Sequence, residues 1–197
     1  MNTRLLAVVL AALIGGALLA VALLPDSQKT SSTTTGKAAV GGAFELTDQN
    51  GRRVSDKNFR GKLMLVYFGY TYCPDVCPAG LQVIAAALDK LGAKTDQVEP
   101  IFISLDPERD TSEMLKEYLG SFSSRLTGLT GTPEEIARVA KAYRVYYKKV
   151  PDEKHPGEYS VDHTSIIYIM GRDGAFVSHA THATNVDKLA EQIGKAL

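Results

Sequence analysis

The segment LMLVYFGYTYCPDVCP, residues 63–78, decides the fold, because it joins an apolar strand to the start of a helix. Residues 63–68 form a short apolar run between two glycines, which predicts a buried strand. Residues 81–91 carry apolar side chains at helical spacing, which predicts a helix. The turn between them holds Cys73 and Cys77, the only two cysteines in the 197-residue chain. Such an isolated pair indicates chemistry rather than packing.

Pro78 constrains where the helix begins, because proline is tolerated in the first helical turn and disfavoured in a helix interior. We therefore predict that Cys77 is the N-cap of the helix and that Cys73 lies in the loop just ahead. Both sulfurs then face the positive end of the helix dipole, which favours the thiolate over the thiol. A thiolate can attack a disulfide or bind a soft metal ion, so the pair alone leaves both kinds of function open.

The N-terminal region carries a candidate membrane anchor. Residues 5–24 are 20 uncharged, mostly aliphatic residues, and at a rise of about 1.5 Å each they span the thickness of a hydrocarbon core. We predict a single-pass transmembrane helix there, with residues 1–4 in the cytoplasm because Arg4 obeys the positive-inside rule. A cleaved signal peptide is the alternative, since residues 20–22 resemble a cleavage site. Either way the cysteines face the outer, oxidising side of the membrane, which for a bacterial inner membrane is the periplasm.

The rest of the chain divides into a tether and one domain. Residues 25–41 are rich in Ser, Thr, Gly and Ala, which predicts a flexible segment without a core. Residues 42–197 are enough for one self-sufficient domain. The formal net charge is zero and charges of both signs are interspersed, so the sequence lacks the basic surface of a nucleic-acid-binding protein.

Strand and helix signals alternate early in the domain, and a hairpin ends it. This order predicts an α/β fold with a mixed sheet flanked by helices. The reactive turn then lies at the carboxyl end of a central strand, where open α/β sheets bind ligands. The other predicted elements are strands at 44–47, 52–54, 98–105, 145–150, 159–161, 165–170 and 175–178, and helices at 111–120, from 133 and at 186–196.

Two of these helices have N-terminal signals in the sequence. Asp110 is predicted to cap the helix at 111–120, with Glu113 three residues on, as in a capping box. Thr132 is predicted to cap the next helix in the same way with Glu135.

His163 is the histidine best placed to join the cysteines. It immediately precedes an apolar strand that we expect beside strand 63–68, so its imidazole enters at the edge of the sheet. Local features leave two interpretations open, a metal ligand and a hydrogen-bonded structural residue. With the two sulfurs it would satisfy Cu(I), which accepts two or three soft ligands, whereas zinc prefers four.

Other polar residues also have two interpretations. His155 lies in a polar loop and is expected to be solvated. His179 and His182 form a second candidate metal site, with solvated turn residues as the simpler interpretation. Asp75 can tune the charge of the cysteine loop, face a partner or only solvate the loop. Asp106 follows a strand, so it can line the same pocket or start a turn.

Three segments lie in a specific order and spacing: YFGYTYCPDVCP at 67–78, SLDPERD at 104–110 and VDHT at 161–164. In these segments the chain resembles the SCO/SenC family of membrane-anchored, thioredoxin-like copper proteins. With the apolar N-terminus and the tether, the resemblance covers essentially the whole chain.

The resemblance implies a thioredoxin-like copper-binding domain at 42–197. It also implies that Cys73, Cys77 and His163 bind one copper ion, as Cu(I) or Cu(II). The implied role is maturation of the binuclear copper centre of cytochrome c oxidase. The copper-bearing subunit of the oxidase is then a partner, together with an upstream copper donor or a thioredoxin-like reductant. The polar hairpin around 151–158 is implied to border the site.

The main alternative is a membrane-anchored thiol–disulfide oxidoreductase that reduces the oxidase's copper-ligand cysteines. Thioredoxin-type exchangers carry Cys-x-x-Cys and a proline facing the pair, whereas this chain has a longer spacing and presents His163 and Thr164. A peroxidase of the peroxiredoxin kind and a structural disulfide in a small loop are further alternatives.

Overall fold

The computed structural model describes residues 40–197, which belong to one compact unit, Ala38–Leu197. The predicted anchor at 5–24 and nearly all of the predicted tether at 25–41 lie outside the described residues. Within the described part, one helical stretch, Val76–Gln97, is long and apolar enough to cross a membrane. It is a helix of the folded domain, and several of its apolar side chains are buried in the core.

Nine strands and four α-helices are described between residues 40 and 197. The strands are β1 (Glu45–Asp48), β2 (Arg53–Ser55), β3 (Leu63–Gly69), β4 (Val98–Ser104), β5 (Thr127–Thr130), β6 (Tyr147–Pro151), β7 (Tyr159–His163), β8 (Ile166–Met170) and β9 (Phe176–Thr181). The helices are α1 (Val76–Leu91), α2 (Ser112–Gly120), α3 (Pro133–Ala142) and α4 (Val186–Ala196). The predicted elements occur in the predicted order, but β5, which lies between α2 and α3, was not predicted from the sequence.

Seven strands form one mixed sheet in the order β2-β1-β5-β4-β3-β8-β9. The central strands β3, β4 and β5 run parallel, whereas β8 pairs antiparallel with β3 and β1 pairs antiparallel with β5. This is the expected thioredoxin-like α/β architecture. The remaining strands, β6 and β7, form a separate two-stranded hairpin.

Strand β3 is buried on both faces, as its uninterrupted apolar sequence predicts. Its side chains alternate between two cores, one on each face of the sheet: Met64, Val66 and Phe68 in one, and Leu63, Leu65 and Tyr67 in the other. Because a slip by one residue would exchange the two sets, the register of β3 is strongly fixed. The loop that follows β3 therefore starts from a rigid point.

The prediction that Cys77 is the N-cap of α1 is wrong. The N-cap is Asp75 and the helix begins at Val76, so Cys77 and Pro78 occupy the second and third helical positions. Proline is compatible with the third position, because the first N–H groups of a helix have no intrahelical partner. The shift places Cys77 inside the first turn.

The prediction that Asp110 caps α2 is also wrong. Thr111 is the N-cap, and its side chain accepts a hydrogen bond from the Met114 N–H. Adjacent aspartate and threonine are both good N-caps, so the sequence pattern does not separate them. The other predicted capping box, Thr132 with Glu135, is confirmed.

Candidate metal centre

The two cysteines lie side by side where β3 leads into α1. Cys77 is fully buried and Cys73 is 8% exposed. The Cys77 N–H donates to Cys73 Sγ at 3.4 Å, and the Cys73 N–H donates to the Tyr70 carbonyl oxygen at 3.2 Å. Both thiols are free. The loop thus presents two sulfurs at the carboxyl edge of the central sheet, as the sequence predicts.

His163 reaches the same point from the end of β7. Its Nε2 lies 3.4 Å from Cys77 Sγ, and its Nδ1 lies 3.1 Å from the Thr164 carbonyl oxygen. Because a carbonyl oxygen only accepts, Nδ1 carries the proton and Nε2 keeps a lone pair. The backbone therefore selects the tautomer whose Nε2 faces the sulfurs, which is the tautomer that a metal site requires.

The three candidate ligand atoms lie close enough together for a three-coordinate site. Cys73 Sγ, Cys77 Sγ and a ring nitrogen of His163 all lie within 4.8 Å of one another. Metal–nitrogen and metal–sulfur bonds of about 2.0–2.3 Å in a trigonal plane would separate the ligand atoms by roughly 3.7–4.0 Å. Two sulfurs and an imidazole form a soft donor set, which suits Cu(I) and does not suit magnesium or calcium.

The two thiols differ in acidity. The pKa of Cys73 is lowered to about 4, chiefly because the Cys77 thiol donates a hydrogen bond to its sulfur; nearby backbone N–H groups add to this, and burial opposes it. The same hydrogen bond raises the pKa of Cys77, together with burial and the charge on Cys73. The expectation that both sulfurs favour the thiolate therefore holds for Cys73 and is wrong for Cys77.

Asp110 anchors the cysteine loop. This buried carboxylate accepts hydrogen bonds from the Thr71 N–H at 3.0 Å and the Thr71 hydroxyl at 2.6 Å. It also accepts from the Ser104 hydroxyl at 2.6 Å, which ties the loop to the end of β4. Burial raises the pKa of Asp110, and the three hydrogen bonds oppose that shift. This role was not predicted from the sequence, where the position of Asp110 before a helix indicated a helix cap.

Asp106 starts a turn, which is one of its two predicted roles. Its backbone carbonyl accepts from the Arg109 and Asp110 N–H groups in a turn. Its fully buried carboxylate accepts from the Tyr159 hydroxyl at 2.8 Å and from Arg109 Nε at 2.5 Å. Arg109 and Tyr159 were not singled out from the sequence, because a charged residue in a turn and a tyrosine in a strand are common on protein surfaces.

Three tyrosines surround the site and have different roles. The Tyr67 hydroxyl donates to the Val76 carbonyl oxygen at 2.9 Å and so supports the first turn of α1. The buried Tyr70 ring meets the His163 ring edge-on, with centroids 5.9 Å apart. Tyr72 is 57% exposed and lies beside the cysteines. An aromatic surface therefore faces solvent next to the candidate metal centre.

The remaining candidates lie outside this cluster. His155 is exposed, as predicted, and its Nδ1 lies 3.2 Å from Asp152. His179 and His182 join no cluster of three potential ligands within residues 40–197. Asp75 is exposed, and its side chain makes no capping hydrogen bond.

Comparisons with known proteins identify the family of the chain. The SCO1/SenC family model matches residues 32–197. A mitochondrial SCO1 homolog 1 of Arabidopsis thaliana is 45% identical over 165 residues, covering 83% of this chain and 49% of that protein. The mitochondrial SCO1 homolog of Homo sapiens is 44% identical over 174 residues, covering 84% and 58%. The chain thus spans about half the length of these curated relatives.

A solved structure also matches. The structure of Bradyrhizobium japonicum ScoI with copper bound has a TM-score of 0.75 and 50% sequence identity to this chain. The match covers 81% of this chain and 100% of that one.

Proposed function

The chain belongs to the SCO1/SenC family, and on that premise we propose that it binds one copper ion, as Cu(I) or Cu(II), through Cys73, Cys77 and His163. Proteins of this family bind copper and take part in cytochrome c oxidase assembly. The observation that carries the proposal is the meeting of His163 Nε2 and Cys77 Sγ at 3.4 Å, although these residues lie 86 positions apart in the chain. A soft donor set of this kind has no evident purpose in a purely structural role.

Copper is the cargo of this protein, and the site suits transfer. When Cu(I) enters, Cys73 binds it as a thiolate and Cys77 binds it after losing its proton, so one proton is released per ion. Cys77 is fully buried, whereas Cys73 and His163 lie nearer the surface. An incoming thiol or thioether can therefore displace the outer ligands first and take the ion by ligand exchange.

We propose the copper-bearing subunit of cytochrome c oxidase as the recipient. Reduced full-length chain loaded with one equivalent of Cu(I) is incubated with the metal-free subunit, and copper is measured in each protein after separation. We expect copper to move to the subunit, and we expect Cys73→Ser to fail at loading. If Cys73→Ser binds copper like the wild type, the ligand assignment is wrong.

The proposed setting is a membrane. Residues 5–24 would anchor the chain, 25–41 would tether it, and 42–197 would act on the outer face, in the periplasm of a bacterium. The support is the run of 20 uncharged residues behind Arg4. Alkaline extraction should leave the full-length protein in the membrane fraction, and protease added from the outer side should degrade the domain. Release by alkali would contradict the anchor.

Thiol–disulfide exchange is the second candidate, and the lowered pKa of Cys73, about 4, favours it. In this reaction the Cys73 thiolate attacks a substrate disulfide, and Cys77 then resolves the mixed disulfide. The substrate gains two electrons and the pair becomes a disulfide. The variant His163→Ala separates the candidates, because it should weaken copper binding and leave exchange intact. Unchanged copper binding in that variant would favour the oxidoreductase.

A further inference from the structure

The β6–β7 hairpin is attached to the domain in an unusual way. Within the described residues it pairs with no strand of the seven-stranded sheet, yet β7 ends in His163, whose ring must meet sulfurs on the edge of that sheet. The chain connection to β8 fixes only one end of β7. Two groups of side-chain contacts therefore attach β7 to the rest of the domain. Val161 is buried in the core, and a second group of contacts surrounds Tyr159.

Arg109 lies between the hairpin and the cysteine loop. Its Nη1 donates to the Tyr159 carbonyl oxygen at 3.0 Å, and its Cζ lies 3.7 Å from the centre of the Tyr159 ring. Its Cζ also lies 4.7 Å from the ring of Tyr72, the residue before Cys73, and 5.8 Å from that of Tyr70. One guanidinium thus contacts both segments that supply the candidate ligands.

Asp106 completes the attachment. Its side chain is fully buried, and its two oxygens accept from Arg109 and from the Tyr159 hydroxyl. Its own N–H donates to the Ser104 hydroxyl at the end of β4. A buried carboxylate that loses its charged partner is strongly destabilised, because its charge is left uncompensated. The carboxylate therefore fixes Arg109 and Tyr159 to the main sheet together.

We propose that Arg109, together with Asp106 and Tyr159, clamps β7 to the cysteine loop. Arg109 is then a positioning residue that sets where His163 Nε2 lies relative to Cys77 Sγ. The consequence for copper rests on the proposed function, whereas the clamp itself is a property of the metal-free protein. The two can therefore be tested separately.

Lys149 provides a matched control for Arg109. Its Nζ lies 4.6 Å from the centre of the Tyr159 ring and 2.6 Å from a Glu108 oxygen. Both members of this ion pair are exposed, and exposed pairs contribute little. Lys149→Met thus removes a cation from the same ring without touching the buried carboxylate.

The first test uses the reduced, metal-free, full-length chain in detergent micelles, with labelled histidine and tyrosine. In the wild type we expect a nuclear Overhauser contact between the Tyr70 and His163 rings. Arg109→Met should abolish this contact and speed hydrogen exchange of the β7 amides, whereas Lys149→Met should change neither. A contact that persists in Arg109→Met overturns the proposal.

Arg109→Met leaves the charge of the buried Asp106 carboxylate uncompensated, which can prevent folding. The double variant Arg109→Met/Asp106→Asn removes both charges and is the substitute in that case. Tyr159→Phe removes only the hydroxyl and keeps the ring. We expect the ring contact to weaken partly in Tyr159→Phe and to vanish in the double variant. Retention of the full contact in the double variant overturns the clamp.

Copper affinity, measured by competition with a Cu(I) chelator, gives the second test. Arg109→Met should weaken binding about 10- to 100-fold, as substitutions that misplace a ligand typically do. His163→Ala should then cost far less in the Arg109→Met background than in the wild type. Additive effects of the two substitutions overturn the positioning role. If His163→Ala alone does not change copper affinity, the proposed copper site is wrong. The clamp is then still tested by the contact between the Tyr70 and His163 rings in the metal-free protein.

Discussion

The cysteine loop and the β6–β7 hairpin meet at one site, but different contacts hold them. The loop leaves β3, which is buried on both faces and hydrogen-bonded to β4 and β8. The hairpin is exposed along residues 151–158 and is attached through the buried side chain of Val161 and a few side chains around Arg109 and Tyr159. The sulfurs therefore share the rigidity of the core, whereas the imidazole is only as fixed as those contacts.

This difference has a functional meaning. Segments with few buried apolar contacts open at a lower free-energy cost than core strands. We therefore expect His163 to move away from the metal first when copper leaves, while the two cysteines retain their positions.

The largest effect is expected from the buried sulfur. Cys77→Ser replaces a soft ligand with a hard hydroxyl, so the reduced full-length chain should bind almost no copper where the wild type binds about one ion. Metal analysis after dialysis measures this. A variant that keeps one copper per chain would show that Cys77 is not a required ligand.

The acidity of Cys73 is the next effect in size. Because its pKa is lowered to about 4, its thiolate should persist above that pH, and alkylation of the metal-free chain should slow only as the pH falls through about 4. The thiol of an unperturbed cysteine has its midpoint at about pH 8.5. Cys77→Ala removes the main cause and should move the midpoint upward. A wild-type midpoint near the value of an unperturbed thiol would refute the described thiol pair.

Packing at the end of β3 gives a smaller effect on stability. A Cβ at Gly69 would lie 2.6 Å from Cys77 Sγ and 2.9 Å from Phe102 Cε2. Gly69→Ala should therefore lower the free energy of unfolding by about 1–3 kcal/mol. Gly194→Ala is the control, since nothing lies within 4 Å of its Cβ, and it should leave stability unchanged or slightly raised. Equal effects of the two in urea unfolding would contradict the tight packing.

The smallest effect concerns the anchor of the cysteine loop. Asp110→Asn replaces one of the two carboxylate oxygens that accept hydrogen bonds from Thr71 and Ser104. The substitution should lower the free energy of unfolding by about 1 kcal/mol and change the alkylation rate of Cys73. Thr111→Ala removes the neighbouring helix cap at a similar cost of about 1 kcal/mol and should leave that rate unaltered. If both variants change the alkylation rate of Cys73 equally, Asp110 does not position the cysteine loop.

The cysteine side of the site was predictable from the sequence, because its signals are local. The apolar run of β3 and the position of Pro78 place the sulfurs between a strand and a helix, with an error of two residues at the helix start. The N-cap at Asp110 was mistaken because two good caps are adjacent. Its real role depends on Thr71, which is 39 positions away.

The histidine side depended on the family resemblance. Spacing alone did not decide whether His163 is a metal ligand or a structural residue. The reason is that β6 and β7 form a sheet of their own, and no pattern in the sequence indicates how that hairpin packs on the domain. Arg109 and Tyr159 were missed for the same reason, since these two partners are 50 positions apart. Contacts of this kind follow from the assembled fold and not from periodicity.

X-ray absorption spectroscopy of the reduced, Cu(I)-loaded full-length chain tests the central claim most directly, with His163→Ala beside the wild type. We expect two sulfur ligands and one nitrogen ligand in the wild type, and loss of the nitrogen together with weaker binding in the variant. Identical coordination and affinity in the two proteins would contradict the three-ligand copper site and favour the thiol–disulfide oxidoreductase.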